Sequence, residues 1–185
     1  KIELNNKADA DRVLEDLKGA EFKVSEVKKT EKKRYPSPPF ITSTMQQEAF
    51  NKLKFNANKT MFVAQELYEG VNIGQDNPVG LITYMRTDSP RVSPEAITEV
   101  REHISQFFGK EFLPEKANSY KVKKLAQEAH EAIRPTFVSR HPESLNTFLT
   151  PDQLKLYTLI YNRFVASQMN PALFQVTSIL IKAKD

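Results

Sequence analysis

The sequence predicts an α+β protein in which a mainly helical domain is inserted into a β-rich domain. Three observations lead to this prediction. Strand-like patterns occupy the two ends of the chain, apolar residues recur at helical spacing through residues 44–170, and prolines stand at both junctions. The β-rich parts are residues 1–43 and 171–185. Because the chain leaves the β-rich pattern and returns to it, we expect these two flanks to form one domain.

Composition limits the class of protein without identifying it. The chain has 185 residues, is 39% hydrophobic and contains no run near the roughly 18 apolar residues that a membrane span requires. The absence of cysteine excludes disulfides, thiolate zinc sites and cysteine nucleophiles, and fits an intracellular origin. The net charge is +4, but residues 44–170 hold 15 Lys and Arg against 14 Asp and Glu, so charge alone names no partner. Since the first residue is a lysine, we expect a piece of a longer protein.

The N-terminal flank is predicted to contain a short strand, a helix and a solvated strand. Residues 1–4 alternate, and residues 7–18 place their apolar side chains on one helix face. Residues 21–34 start with alternation that fades into KKTEKKR, which indicates an edge strand. A proline cluster follows and cannot continue a helix or an inner strand, so we place the domain boundary near Ser43.

The first half of the central part is predicted to hold two helices and a strand. Ser43 and Gln46 have the spacing of a capping box at the start of the first helix. Thr60 is the predicted cap of the second helix, which Gly70 ends. Residues 79–84 have the apolar, β-branched character of a strand.

The second half is predicted to hold two more helices before strand character returns. Residues 93–94 supply a serine cap and a proline at the first helical position. The last helix begins at Thr150, with Gln153 completing a capping box, and is stopped by Pro171. Residues 174–181 then read as a strand.

Tyr84 and Arg86 are the first candidate site, in the stretch GLITYMRTDS. On an extended chain residues two apart point to one face, so both side chains can meet one phosphate while Met85 turns inward. A tyrosine nucleophile needs a nearby cation or base because its ordinary pKa is about 10. The same spacing also occurs between ordinary structural residues, and both interpretations stay open at this point.

The stretch QEAHEAIRP is the second candidate site. Its HEAIR resembles the helical zinc motif HExxH, but Arg134 stands where the second histidine would be, so the metal interpretation fails. We expect a helical turn that gathers His130, Glu131 and Arg134 on one face. These residues either contact a phosphate or have ordinary structural roles, with their polar groups hydrogen-bonded near the surface. His141, in a polar loop, is given no role.

Five segments taken together, in this order, resemble the central region of the type IA DNA topoisomerases of bacteria. They are PPFITSTMQQEA, TMFVAQELYEGV, GLITYMRTDS, QEAHEAIRP and LYTLIYNRFVASQM. The resemblance implies that Tyr84 is the catalytic nucleophile and forms a 5′-phosphotyrosyl intermediate. It implies that Arg86 is a catalytic residue that holds the scissile phosphate. It implies that His130 is also catalytic and contacts the DNA. Arg134 lies in the same motif and is expected to contact DNA.

The resemblance also implies the architecture and the partners. Residues 44–170 match a winged-helix or CAP-like domain that carries the tyrosine, and the flanks match an arch domain. The expected partners are single-stranded DNA and negatively supercoiled DNA, which a monomeric cytoplasmic, nucleoid-associated enzyme relaxes without ATP. Decatenation and reverse gyration stay open as activities.

The family's metal is expected elsewhere. The resemblance places Mg²⁺ in an acidic domain called TOPRIM, and these 185 residues contain no D-x-D-x-D cluster. We therefore expect no metal ligands here and no cleavage by this chain alone. Two other classes remain as alternatives: a DNA-binding module in which Tyr84 only stacks on a base, and a metal-dependent hydrolase built on HEAIR.

Overall fold

The computed structural model describes residues 3–74, 77–121 and 130–183, and the chain divides into two compact units. The ribbon unit consists of Lys1–Arg34 and Ala172–Asp185, and the helical unit is Tyr35–Pro171. The first division therefore lies before the proline cluster, whereas the sequence places a boundary near Ser43. The reason is Phe40, which follows the prolines and is fully buried in the core of the helical unit.

The ribbon unit contains one helix and a two-stranded antiparallel sheet. These elements are α1 (Lys7–Leu17), β1 (Phe22–Arg34) and β2 (Ala172–Ala183). The Asn6 side chain accepts a hydrogen bond from the Asp9 amide at the start of α1, and Gly19 follows its end at a φ of +67°.

The strands of the ribbon confirm the predicted pattern. Every residue of β1 is exposed. This exposure is expected, because the second half of the strand consists of charged and polar residues. The helix over residues 7–18 and the strands over 21–34 and 174–181 are confirmed. Residues 3–5 are irregular rather than strand, and residues 1–2 lie outside the described part.

Four α-helices pack around one apolar core in the described part of the helical unit. They are α2 (Thr42–Glu48), α3 (Ala57–Glu69), α4 (Pro94–Phe107) and α5 (Pro151–Ser167). A π-helical turn (Ala49–Leu53) continues α2, and short 3₁₀ turns (Lys110–Phe112 and Pro142–Leu145) precede α5. Fully buried core residues come from all four helices and from the segments between them, and include Met45, Leu67, Leu81, Ile104, Ile133 and Tyr157. The sequence therefore predicted four central helices correctly.

The caps of α4 and α5 are as predicted, and those of α2 and α3 are not. The Ser93 hydroxyl accepts from the Ala96 amide, and Thr150 and Gln153 bond each other's backbone amides in a capping box. Helix α2, however, begins two residues earlier than predicted, because its cap is Ile41, whose amide donates to the Thr44 hydroxyl, rather than Ser43. Helix α3 begins at Ala57.

The cap of α3 is Asn56 rather than Thr60. The Asn56 side chain accepts from the Lys59 amide at 2.8 Å, and asparagine is as good a cap as serine or aspartate. Thr60 is buried and donates its hydroxyl hydrogen bond back to the Asn56 carbonyl. The predicted end of the helix at Gly70 is confirmed.

The predicted strand over residues 79–84 is extended backbone that belongs to no sheet. Val79 and Ile82 form isolated bridges, to Val71 and Pro135 respectively. The hydrogen bonds of this segment go to different partners: the Leu81 amide donates to the Leu67 carbonyl of α3, and the Thr83 amide donates to the Arg134 carbonyl.

The predicted helical turn at His130, Glu131 and Arg134 is wrong. Residues 130–135 form no helix, and Ile133 and Pro135 make isolated backbone bridges to Phe40 and Ile82. Pro135 explains the difference, because proline disfavours α-helical backbone at the residue before it. Residues 127–129 of the same motif lie outside the described residues. Within the described part, no helix combines the length and apolarity needed to cross a bilayer.

Candidate active site around Tyr84

Tyr84 lies at the surface of the helical unit and packs against two other rings. Its side chain is 39% exposed and packs edge-on against Tyr68 of α3, with ring centroids 5.4 Å apart. The His130 ring also packs against it, in a tilted arrangement with ring centroids 5.6 Å apart. The structure thus brings together two residues that are far apart in sequence and that the sequence analysis singled out separately.

The surroundings of Tyr84 separate it from most of the other five tyrosines of the chain. The hydroxyls of Tyr120, Tyr157 and Tyr161 each donate to a backbone carbonyl. Burial raises the pKa of Tyr120 and Tyr161 to about 12 and raises the pKa of Tyr157 as well. These three phenols are structural. Tyr84 has an accessible ring and no hydrogen-bond partner among the described residues, so its oxygen is open to a substrate.

The backbone after Tyr84 alternates between surface and core. Met85 is fully buried while Tyr84 and Arg86 are exposed, which confirms that these two side chains share one face. Within the described residues no carboxylate lies within ion-pair distance of Arg86. Its guanidinium is therefore a permanent cation available to a phosphate.

Thr42, at the start of α2, holds this segment in place. Its hydroxyl lies 2.7 Å from the Met85 carbonyl and 3.0 Å from the Thr87 carbonyl, and accepts from the Thr87 amide at 2.9 Å. The Thr42 amide also donates to the Thr87 carbonyl. One threonine thus fixes the backbone on both sides of Arg86.

Arg86 and His130 line the same open cleft of about 570 Å³. The remaining lining comes from the start of α2 and from the segment after Arg86, and includes Ser43, Gln46, Thr87 and Asp88. A cation, an imidazole and several hydroxyl and amide groups suit a phosphodiester, while Asp88 contributes one carboxylate of opposing charge.

Arg134 is held by groups of its own chain. Its guanidinium binds the Glu131 carboxylate through two nitrogens, at 2.8 and 2.9 Å, and donates to the Pro135 carbonyl at 2.9 Å. The side chain is only 13% exposed. A DNA contact by Arg134 stays a prediction, and such a contact would have to compete with Glu131.

The described residues do not form a metal centre. No three His, Asp or Glu side chains among them converge as a metal site. The cleft lined by Arg86 and His130 offers one carboxylate, Asp88, where Mg²⁺ needs several oxygen ligands. We therefore derive no step through a metal at this site.

Sequence reasoning missed three residues that shape the site. Tyr68 packs against the ring of Tyr84, and the Thr42 hydroxyl holds the backbone on both sides of Arg86 by hydrogen bonds. Gly80 lets the chain approach α3, because a Cβ there would lie 2.7 Å from the Tyr68 carbonyl oxygen. A lone glycine inside a strand pattern is the signal that could have found this close approach.

His141, for which no role is predicted from the sequence, belongs to a second cluster. The Tyr161 hydroxyl lies 3.0 Å from the Val138 carbonyl, 3.0 Å from His103 Nε2 and 3.2 Å from His141 Nδ1. The Val138 carbonyl can only accept, so the phenol is placed to donate to it, while the roles of the two imidazole nitrogens follow from their tautomers. Burial, followed by the charge of His141, lowers the pKa of His103 below 6.5.

The fold and this site together define a class of protein. The chain, a mixed α/β protein that exposes Tyr84 beside His130, matches the family model of the DNA topoisomerases over residues 1–185. The chain belongs to the DNA topoisomerase family.

Two relatives show how close this membership is. The chain is 51% identical over 183 residues to DNA topoisomerase 1 of Campylobacter jejuni, covering 98% of this chain and 26% of that protein. It also matches the structure of full-length topoisomerase I from Thermotoga maritima, with a TM-score of 0.80 and 44% identity over 99% of this chain and 29% of that one. The chain thus spans about a quarter of the length of the curated relative.

Proposed function

We propose that this chain supplies the cleavage centre of a type IA topoisomerase, with Tyr84 as the nucleophile. One observation supports this proposal most directly. Tyr84 presents an accessible phenol next to the His130 ring, and Arg86, on the same face of the chain, has no ion-pair partner among the described residues. Residues from four of the five segments that resemble the family support this proposal: Gln46, Tyr68, Arg86 and His130 lie at Tyr84 or line the adjacent cleft.

The proposed reaction exchanges one phosphodiester for another. The Tyr84 oxygen attacks a phosphorus of single-stranded DNA, a P–O bond forms, and the bond from phosphorus to the 3′-oxygen breaks with its electron pair leaving on that oxygen. The phenol gives up its proton, and the 3′-oxygen gains one to become a hydroxyl. Resealing reverses these steps, so the cycle conserves bond energy and needs no ATP.

Arg86 and His130 have separate parts in this proposal. Arg86 offers a planar fork to two phosphate oxygens and stabilises the charge that develops there. His130 contacts the Tyr84 ring and lines the same cleft as Arg86, which positions it to donate a hydrogen bond to the phosphate. Thr42 is a positioning residue, because it acts through the backbone around Arg86.

The finer architecture is part of the same proposal. We infer that the helical unit is the winged-helix or CAP-like domain that carries the tyrosine and that the ribbon unit belongs to an arch. The substrate is single-stranded DNA in a negatively supercoiled molecule, and the enzyme acts as a monomer in the cytoplasm. Mg²⁺, assigned by resemblance to another domain, has no proposed ligand in this chain.

A cleavage assay on the full enzyme that contains this chain tests the proposal. A single-stranded oligonucleotide is labelled at its 3′ end in one reaction and at its 5′ end in another. The 3′ label should become covalently attached to protein, and the 5′ label should leave on a fragment with a free 3′-hydroxyl. Attachment of the 5′ label instead would contradict the proposed polarity.

Two phenylalanine variants identify the nucleophile in this assay. Tyr84→Phe keeps the ring and removes the attacking oxygen, so covalent product should vanish. Tyr68→Phe is the matched control, because Tyr68 is 40% exposed and touches the Tyr84 ring. It should still cleave. Normal oligonucleotide binding with no covalent product from any form would favour the module in which Tyr84 only stacks on a base.

A further inference from the structure

A second pocket adjoins the cleft of Arg86 and His130. It has a volume of about 310 Å³ and is lined by Gln46, Gln47, Phe50, Asn51 and Ala57. Gln46 lines both cavities, so the two are neighbours along one side of α2. This pocket has no part in the reaction described above.

The lining of this pocket has the chemistry of a nucleobase site. It contains three amide side chains and one aromatic ring, and none of its lining residues is charged. Amides can pair with the donor and acceptor groups on a base edge, and an aromatic ring can stack on any base. Within the described residues, the side chains of Gln46, Gln47 and Asn51 make no hydrogen bond that would compete.

Phe50 lies on the π-helical turn that follows α2. Its side chain is 59% exposed, although its neighbour Ala49 is fully buried in the core. The turn ends at Lys54, which has a φ of +60° and whose ammonium donates to the Asn51 carbonyl at 3.0 Å. Single π-helical turns inside helices are frequent at functional sites. Here the turn places a ring and a cation beside the pocket.

We propose that this pocket, which we call the Phe50 pocket, binds one unpaired base of the DNA strand whose phosphate lies at Arg86. The inference rests on the proposed function and extends it, because it names the part of the substrate that reaches beyond the reacting phosphate. Phe50 stacks on the base, and Gln46, Gln47 and Asn51 bond its edge. The strand therefore follows α2 away from Tyr84.

A fluorescent base tests the Phe50 pocket. Single-stranded oligonucleotides carrying 2-aminopurine at successive positions are titrated with the 185-residue chain, which contains no tryptophan to interfere. Stacking on an aromatic ring should quench the 2-aminopurine at one position of the bound strand. Circular dichroism of each variant establishes that it is folded.

Phe62→Ala is the matched control for Phe50→Ala. Phe62 is 66% exposed on α3 and does not line the pocket. Phe50→Ala should abolish the quenching and weaken binding by about 5- to 150-fold. Phe62→Ala should change neither, and Phe50→Tyr should keep the quenching.

Two other outcomes separate this inference from the proposed function. In the first outcome, Arg86→Ala weakens oligonucleotide binding, but the Phe50→Ala variant still quenches 2-aminopurine as much as the original chain does. Base binding in the Phe50 pocket is then refuted, and the proposed function stands. In the second outcome, Arg86→Ala leaves oligonucleotide binding unchanged. The proposed phosphate contact at the cleft is then refuted, and so is base binding in the Phe50 pocket, which depends on that contact.

Discussion

Thr42→Val is expected to destabilise the helical unit more than its small chemical change suggests. Valine has nearly the shape of threonine, so packing is kept while the hydroxyl is lost. The Thr87 carbonyl keeps the Thr42 amide as its donor, but the Met85 carbonyl and the Thr87 amide lose their partners. Both residues are buried. An unsatisfied buried group costs about 1 to 3 kcal/mol, so the loss of partners for these two groups should lower the free energy of unfolding by about 2 to 6 kcal/mol in total.

Urea unfolding, followed by circular dichroism, measures this loss. Thr42→Ser keeps the hydroxyl and should stay close to the original stability. Thr98→Val is a second control, because the Thr98 hydroxyl donates only to the Pro94 carbonyl on the exposed side of α4. If Thr42→Val unfolds at the same urea concentration as Thr42→Ser, Thr42 does not clamp the segment around Arg86 and the reasoning is refuted.

Three further predictions follow from the same structure. Gly80→Ala places a Cβ 2.7 Å from the Tyr68 carbonyl oxygen, so the chain must shift and the protein should lose about 1 to 3 kcal/mol of stability; an unchanged melting temperature would contradict the close approach. In the full enzyme, Arg86→Lys keeps the charge and loses the fork, so cleavage should lose about 2 to 4 kcal/mol of transition-state stabilisation with oligonucleotide binding largely kept; rates equal to the original would remove Arg86 from catalysis. The lowered pKa of His103 means that the unfolded chain takes up a proton near pH 6.5 while the folded chain does not. The stability that neutral His103 contributes is therefore complete above that pH and is lost as the pH falls through the pKa of His103 in the folded chain. In urea unfolding, the free energy of unfolding of His103→Gln should depend less on pH between pH 8 and pH 5 than that of the original chain.

Local sequence signals predicted the helices well where a cap and a stop stand close to the element they bound. Ser93 with Pro94 and Thr150 with Gln153 each make their hydrogen bonds within one turn, so no distant residue can displace them. The caps of α2 and α3 were misplaced because several hydroxyl and amide residues compete there. Asn56 caps α3, while Thr60 is drawn into the core.

The site could be predicted only in part, because its contacts are between distant residues. The alternation that exposes Tyr84 and Arg86 and buries Met85 is local, and the sequence shows it. The contacts of Tyr84 with Tyr68 and His130, and the clamp from Thr42, depend on how α2, α3 and residues 130–135 pack together. The helical turn predicted at His130 failed for the same reason, since the bridge of Ile133 to Phe40 and the effect of Pro135 override a helical spacing.

The position of the covalent bond between protein and DNA tests the central claim most directly. The full enzyme is trapped with a single-stranded oligonucleotide, digested with nuclease and trypsin, and the remaining nucleotide is located by tandem mass spectrometry. Trypsin releases residues 60–86 as one peptide, which contains both Tyr68 and Tyr84. We expect the nucleotide on Tyr84 alone, joined through its 5′-phosphate. A nucleotide on Tyr68, or on a tyrosine outside this peptide, would contradict the assignment of Tyr84 as the nucleophile.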